Sequence, residues 1–267
     1  MTAMIDAGLK RELEPVQAPR FEVSFARNTE EVLESQRLRF RIFAGELGAQ
    51  IDGGEEGVDA DQFDPYCRHL LVRDTQTGAV IACTRILTDA QAPDAGGFYS
   101  AGEFDLAMID SLPGRVMEIG RTCVDERYRN GAVIATLWQG IAAHVTSNGF
   151  DYLFGCASIG LEDGGAQAHA ILQQIRASHL STEYQRVRPY YPLPAVDGRP
   201  SEKVKLPPLL KAYLSLGAKA CGEAYWDRDF NCADVLMLLD VSHLHPRYAR
   251  HFLGERASSE PVSAGHA

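Results

Sequence analysis

Two hydrophobic periods alternate along the chain and set out its elements. "FEVSFA" (21–26) alternates apolar and polar positions, as a half-buried strand does. Asn28 with Glu31 makes a capping box for a helix across "TEEVLESQRLRFRIFAGEL", whose apolar face draws on Val32, Leu33, Leu38 and Ile42. "RHLLVRD" and "AVIACTRILT" are apolar runs joined by "TQTG" and predict a hairpin. "RVMEIGRTCV" (115–124) predicts a central strand. Across 132–148, Ile134, Leu137, Trp138, Ile141 and Val145 recur at i, i+3, i+4, i+7 and i+11, one face of a helix that Asn148-Gly149 stops. "DYLFGCASI" predicts a buried strand and "GAQAHAILQQIRASHL" a helix. A short helix in "LLKAYLSLG", strand-like runs in "AKACGEAYWD" and "ADVLMLLDV", and a last helix in "PRYARHFLGE" follow. Long loops separate these elements: acidic "GAQIDGGEEGVDADQFDPY", then "APDAGGFYSAGEFD", then Pro-rich, aromatic "STEYQRVRPYYPLPAVDGRPSEKVKLPPLL". The pattern predicts one mixed-sheet α/β domain over residues 19–255, with a loose arm at 1–18 and a disordered tail at 256–267.

Composition narrows the function. A hydrophobic fraction of 45% supplies a core, and a net charge of −10 argues against a nucleic-acid-binding face. Basic clusters in "RLRFRIF" and "KVKLPPLLK" still suit a small acidic partner. The six cysteines are scattered without a CxxC pair and read as small buried hydrophobes. The first residues lack the apolar core of a signal peptide, and no run reaches the ~18 apolar residues of a membrane span. A soluble cytoplasmic protein is expected.

Candidate chemistry centres on charges in unexpected places. "DERYRNGA" leads into a helix start, where backbone N–H groups attract anions, but neither GxxxxGK[ST] nor GxGxxG is present. Ser158 fails the nucleophile-elbow pattern because Cys156 stands where the first glycine belongs. "HLH" at 243–245 has no third ligand nearby, so no metal site is expected. Asp61 and Asp64 in "DADQFDPYCRH" either converge on a cation or belong to a solvated acidic loop. Glu118 lies inside an apolar strand, where an unpaired charge is costly. Arg121, three residues on, faces the other side of a regular strand unless a bulge near Gly120 re-aims it. Arg85 is a second charge in core-like sequence. Glu118 either pairs with these arginines as a structural ion or does chemistry.

Together, "RLRFRIF" (ending at Phe43), "DADQFDPYCRHLLV", "CTRIL" and "MEIGRTCV" resemble the GNAT branch that contains acyl-homoserine-lactone synthases. "MEIGRTCVDERYRNGAVIATLWQGIA", "YLFGCASIG" and "LPPLLKAYLSLGAKACGEAYWDRDFNCADVLMLLDV" more closely resemble the ornithine N-alpha-acyltransferases of bacterial ornithine-lipid synthesis, a likeness spanning about residues 20–245. The resemblance implies a GNAT-like acyl-CoA N-acyltransferase fold, a mixed twisted sheet flanked by helices, whose strands 115–124 and 151–159 splay around a pantetheine arm. It implies no bound cofactor; the acyl donor rides on the phosphopantetheine arm of acyl carrier protein. Asn130 replaces the first glycine of the usual coenzyme A loop, which weakens an acetyl-coenzyme A reading.

The implied reaction moves a 3-hydroxyacyl group from acyl carrier protein to the α-amino group of L-ornithine. Glu118 is then the candidate base, with oxyanion donors near Gly120 and Arg121. Asp61 and Asp64 meet the acceptor's amino groups, Arg85 or Arg121 its carboxylate, and Phe43 lines the same site. Arg127, Arg129, Asn130 and Gly131 lie near the pantetheine phosphate. Arg37, Arg39, Arg41 and the lysines at 203, 205 and 211 are docking positions for the acidic carrier, and the aromatic segment 184–194 is either an acyl-tunnel wall or a packed cover. Cys123 is kept in view, although no acyl-enzyme is needed. A lipid product implies weak peripheral contact with the inner membrane surface. The alternatives are a homoserine-lactone synthase, an acyltransferase for glycine or glutamine, and a non-catalytic acyl-thioester sensor.

Overall fold

The computed structural model describes residues 19–51, 57–129, 131–180, 187–195 and 205–244. The arm 1–18, the tail 256–267 and the helix expected in "PRYARHFLGE" lie outside the described residues. Strand β1 (Phe21–Phe25) edges an eight-stranded sheet. It pairs antiparallel with β2 (Arg68–Asp74), which the expected hairpin joins to β3 (Val80–Thr88). A two-residue strand β4 (Phe104–Asp105) and a single-turn helix follow, the chain then entering β5 (Val116–Val124), antiparallel to β3. Strand β6 (Tyr152–Gly160) lies parallel to β5, and β7 (Arg188–Pro189) pairs with β4 in a separate ribbon. The sheet closes with β8 (Lys219–Ala220), β9 (Tyr225–Asp227) and β10 (Cys232–Asp240), giving the order β1-β2-β3-β5-β6-β10-β8, with β9 also on β10.

Helices cover both faces, which is why all nine residues of β3 are buried. The first long helix (Thr29–Phe40), here α1, lies over β3 on one face, where Leu38 and Ile42 pack on Leu71 and Cys83. Its cap is half as expected: the Glu31 N–H donates to Asn28 Oδ1 (3.0 Å), but the Glu31 carboxylate accepts from the Arg27 N–H (2.8 Å). Its buried face also differs. Val32 and Leu33 are only half-buried, while Ser35 and Arg39 are fully buried, because an ion network draws that polar side inward. The helix continues into a π-helical turn, Arg41–Glu46. On the other face lie the crossover helix Gly131–Asn148, whose Leu137, Trp138, Ile141 and Val145 are buried as the periodicity predicts, and the helices Ala166–Ser178 and Pro208–Leu216.

Two irregularities position the site. β5 and β6 pair only from Val116–Glu118 to Tyr152–Phe154, although each runs nine residues, so they part beyond Glu118 as the splayed pair was expected to. β6 is held instead by β10, through nine paired residues. The β3–β5 register slips between Cys83 and Arg85, leaving Thr84 opposite both Arg121 and Thr122. Arg121 itself carries the left-handed backbone, φ 49°, and not Gly120 as the sequence suggested. The bulge turns Arg121 out of the apolar face of Met117 and Ile119 and towards the side of Glu118: its guanidinium donates to Tyr99 Oη (3.2 Å), whose own backbone N–H reaches Glu118.

Where the strands begin to part, β6 still approaches β5 closely at Gly155, where a Cβ would lie 2.2 Å from the Ile119 carbonyl oxygen. Gly155→Ala is therefore expected to destabilise the fold by about 1–3 kcal/mol through overpacking against backbone. Urea unfolding checks this; an unchanged midpoint would remove the close approach as a constraint.

Candidate active site

Three arginines and three aspartates meet on the α1 face of the sheet. Arg39, 1% exposed, donates from Nε to Asp59 (2.7 Å) and from Nη1 and Nη2 to Asp64 (2.8 and 3.2 Å). Arg85 on β3 donates to Asp61 (2.6 Å) and Asp64 (3.1 Å). Arg121 lies 3.4 Å from Asp59 and 3.6 Å from Asp61. Burial alone would push Asp64 up, but Arg39 and Arg85 outweigh it and hold the carboxyl well below the usual range. Gln36 Nε2 and the Asp61 N–H also donate to Asp64, so protein donors occupy that carboxylate fully. Among the described residues, Asp61 Oδ2 and Arg121 Nε, both buried, are held by ion pairs but by no hydrogen bond, and so keep spare hydrogen-bonding capacity. Phe43, on the π-helical turn, packs edge-on against Phe230 (5.7 Å), and the Arg121 guanidinium lies over the Phe230 ring (4.7 Å).

Glu118 stands apart from this network. Its Oε1 accepts from the Ser100 N–H (2.8 Å) and hydroxyl (2.5 Å), and its Oε2 from the Tyr99 N–H (2.7 Å). Neither Arg85 nor Arg121 forms an ion pair with it, so the structural-ion alternative in its simple form gives way to an anchor for the turn Tyr99–Gly102. Burial raises its pKa, and the Ser100 and Tyr99 donors oppose that shift. Oε2 accepts one bond and keeps capacity for another.

A cavity of about 80 Å³ opens where β5 and β6 part, bounded by Glu118, Gly120, Arg121, Cys156, Ser158 and Asp234. A Cβ at Gly120 would meet nothing within 4 Å, so that backbone faces open space. Tyr99 and Asp227 also bound two further chambers, about 190 Å³ beside Asp61 and Arg121 and about 470 Å³ beside Glu103 and Tyr225. Sequence reasoning missed Tyr99, Ser100, Glu103, Asp227 and Asp234. Asp234 alone carried a legible signal, a charge within the apolar run "ADVLMLLDV", the same signal that marked Glu118.

The remaining candidates lie elsewhere. Arg127 is paired with Asp125 (2.9 Å), and Arg129 with Glu46 and with the Val124 carbonyl (3.0 Å), beside the helix start at Gly131; Asn130 lies outside the described residues. Arg37, Arg41, Lys205 and Lys211 are exposed, whereas Arg39, buried in the ion network, is no docking residue; Lys203 lies outside the described residues. Cys123 is directed under α1 at 3.6 Å from Cys83, and that hydrogen bond with burial pushes its thiol well up, away from nucleophilic use. Tyr190 and Tyr191 are 55% and 61% exposed, with Tyr191 against Tyr225 (6.1 Å), and residues 184–186 of the aromatic segment lie outside the described residues. His243 is exposed and bonded to Asp240; His245 lies outside the described residues. Among the described residues, Asp227, Cys232 and Asp234 have donor atoms within 4.8 Å of one another, and burial pushes the Cys232 thiol up. No helix among the described residues is long and apolar enough to cross a membrane.

Burial, with the charge of Asp227 adding to it and a hydrogen bond from Ser158 opposing it, pushes Asp234 up to about 6. Its contribution to stability is complete below the unfolded value of ~3.9 and is lost as pH rises through about 6. Asp234→Asn is thus expected to gain thermal stability relative to the unsubstituted protein as pH rises from 4 to 7. A melting-temperature difference independent of pH would contradict the assignment.

Residues 38–139 match the family model described as an acetyltransferase (GNAT) domain. The chain is 34% identical over 252 residues to the L-ornithine N(alpha)-acyltransferase of Brucella abortus (strain 2308), covering 88% of this chain and 89% of that protein. It is 32% identical over 260 residues to the protein of the same name from Rhizobium meliloti (strain 1021), covering 91% and 88%. Among solved structures, FeeM, an N-acyl amino acid synthase from uncultured soil microbes, superposes with a TM-score of 0.52 at 13% identity, over 85% of this chain and 95% of that one, a likeness of fold. The parted strands of a mixed sheet and the identity along nearly the whole chain agree: this protein belongs to the L-ornithine N(alpha)-acyltransferase family, built on the GNAT fold.

Proposed function

We propose that this protein transfers a 3-hydroxyacyl group from acyl carrier protein to the α-amino group of L-ornithine, forming a lyso-ornithine lipid. The observation that carries the proposal is the cavity between β5 and β6, which sets the open backbone at Gly120 beside Glu118 and the Arg121 guanidinium, with Arg121 also bounding the adjoining chamber that Asp61 lines. The relatives' names supply ornithine as the acceptor. The 3-hydroxyacyl donor and its carrier rest on the resemblance stated above.

The α-carboxylate of the acceptor is assigned to Arg121 and its α-ammonium to Asp61 Oδ2. Asp64 and Arg85 act through these groups by fixing the loop that carries Asp61. Glu118, raised by burial, takes a proton from the ammonium through Oε2. The freed amine attacks the thioester carbonyl, whose oxyanion faces backbone N–H groups near the bulge. As the new C–N bond forms and the C–S bond breaks, the attacking nitrogen sheds its second proton and the departing pantetheine thiolate takes one up, leaving as the free thiol. The carrier's phosphodiester approaches the helix start at Gly131, near Arg127 and Arg129, and Arg37, Arg41, Lys205 and Lys211 offer exposed charge to its acidic surface. The lipid product brings the enzyme to the inner membrane surface by weak contact.

The test is ornithine-dependent release of carrier thiol, with mass spectrometry of the product. Glu118→Gln is expected to lower kcat by about 10²–10⁴-fold with little change in the KM for ornithine. Turnover near the unsubstituted rate with saturating acyl carrier protein would remove Glu118 from the base role.

A further inference from the structure

One buried carboxylate in the cleft has neither a use in this mechanism nor an adequate partner. Glu103 ends the turn that Glu118 anchors and is only 6% exposed. Among the described residues it has no cation and no N–H or hydroxyl donor; it accepts only the Cys156 thiol, at 3.2 Å. It faces a chamber of about 470 Å³, alongside Asp227, Phe63, Phe98 and Tyr225, that no described cation lines. Asp227 accepts two backbone N–H groups on one oxygen, from Asp229 (2.9 Å) and Phe230 (3.0 Å). Asp234, opposite Tyr225 and Ser158 in the strand registers, adds a third buried acid. Carboxylates gathered away from water repel one another unless they meet a cation.

The chamber is continuous in its walls with the acyl-transfer cavity, since Tyr99 and Asp227 bound both. Across that cleft the cation is Arg121, already placed at the acceptor's carboxylate. A cleft with a guanidinium at one side and uncompensated acids at the other matches an amino acid whose side chain ends in an ammonium, and the aromatic walls suit such a cation. We infer that Glu103, backed by Asp227 and Asp234, receives the side-chain ammonium of a dibasic amino-acid acceptor and so sets the preference for it over acceptors with uncharged side chains. The inference rests on the amino-acid acyltransferase reading above. Asp61 and Asp64, which the sequence offered for both amino groups, are then relieved of the distal one.

The experiment compares ornithine with norvaline, which has the same carbon chain without the terminal amine, at saturating acyl carrier protein in the full-length enzyme. The unsubstituted enzyme is expected to prefer ornithine by about 10²-fold or more in kcat/KM, because norvaline leaves a buried acid unpaired. Glu103→Gln is expected to raise the KM for ornithine about tenfold or more, with a smaller change in kcat, and to shrink that preference by a similar factor. The same substitution is expected to leave the melting temperature without ligand unchanged or raised, and to raise it most as pH increases, since it removes a buried acid held protonated without an adequate partner; loss of a structural contact would lower it at every pH. Asp234→Asn, a second variant, should shrink the preference in the same direction.

Equal losses on both acceptors with a lowered melting temperature would overturn the inference. So would an unchanged preference, or a stoichiometric divalent metal that co-purifies with the enzyme and whose removal abolishes activity. Equal use of norvaline and ornithine by the unsubstituted enzyme overturns the inference while leaving acyl transfer intact. Absence of thiol release with any amino acid overturns the proposed function itself, and this inference with it.

Discussion

The pairing of Arg39, Arg85 and Arg121 with Asp59, Asp61 and Asp64 is the interaction on which the site depends. Each of these ions, taken singly from water, would cost several kcal/mol, and only mutual contact makes their burial tolerable. Satisfying them forces a geometry: α1 must present Arg39 inward, the loop at 57–66 must fold onto the sheet, and β5 must bulge so that Arg121 reaches the same side. The left-handed backbone at a non-glycine residue is retained because these contacts over-determine it. The network therefore does for this cleft what a rigid loop does elsewhere: it holds one arginine ready.

On the far side of the cleft the same accounting fails. Glu103, Asp227 and Asp234 are buried without a guanidinium among the described residues, and desolvation pushes Glu103 well above the ordinary carboxyl range, with the charge of Asp234 adding to it. Glu118 sits between the two regimes, buried yet supplied with three donors. Paired charges fix the frame and unpaired ones leave it poised for a ligand, so stability and recognition occupy opposite walls of one cavity. The strands part just beyond Glu118 and Phe154, and both walls face the opening they leave.

Much of this frame was legible in the sequence because it rests on period and on misplaced charge. The helix at 131–148 and strands β2, β3, β5, β6 and β10 follow from apolar repeats that their burial matches. Glu118 and Arg85 stood out as charges inside apolar strands, and Gly120 beside Arg121 suggested the bulge that occurs one residue later. The α1 face was misjudged because Ser35 and Arg39 are buried by tertiary ion pairing, which overrides an apolar stripe. Glu103 and Asp227 were invisible: they lie in or beside loops, where an acid looks solvated until the fold closes over it. The ribbon of β4 and β7 is two residues long on each side and joins segments far apart in sequence, beyond any local pattern.

The central claim is that one cleft reads an amino acid from both ends, with its reacting amine at the parted strands. A crystal structure of the protein with ornithine tests this most directly. The account predicts the α-carboxylate on the Arg121 guanidinium, the α-nitrogen beside Gly120 and Asp61, and the terminal nitrogen on Glu103. Ornithine bound in the reverse direction, with its terminal nitrogen at the parted strands, or bound outside this cleft, would contradict it.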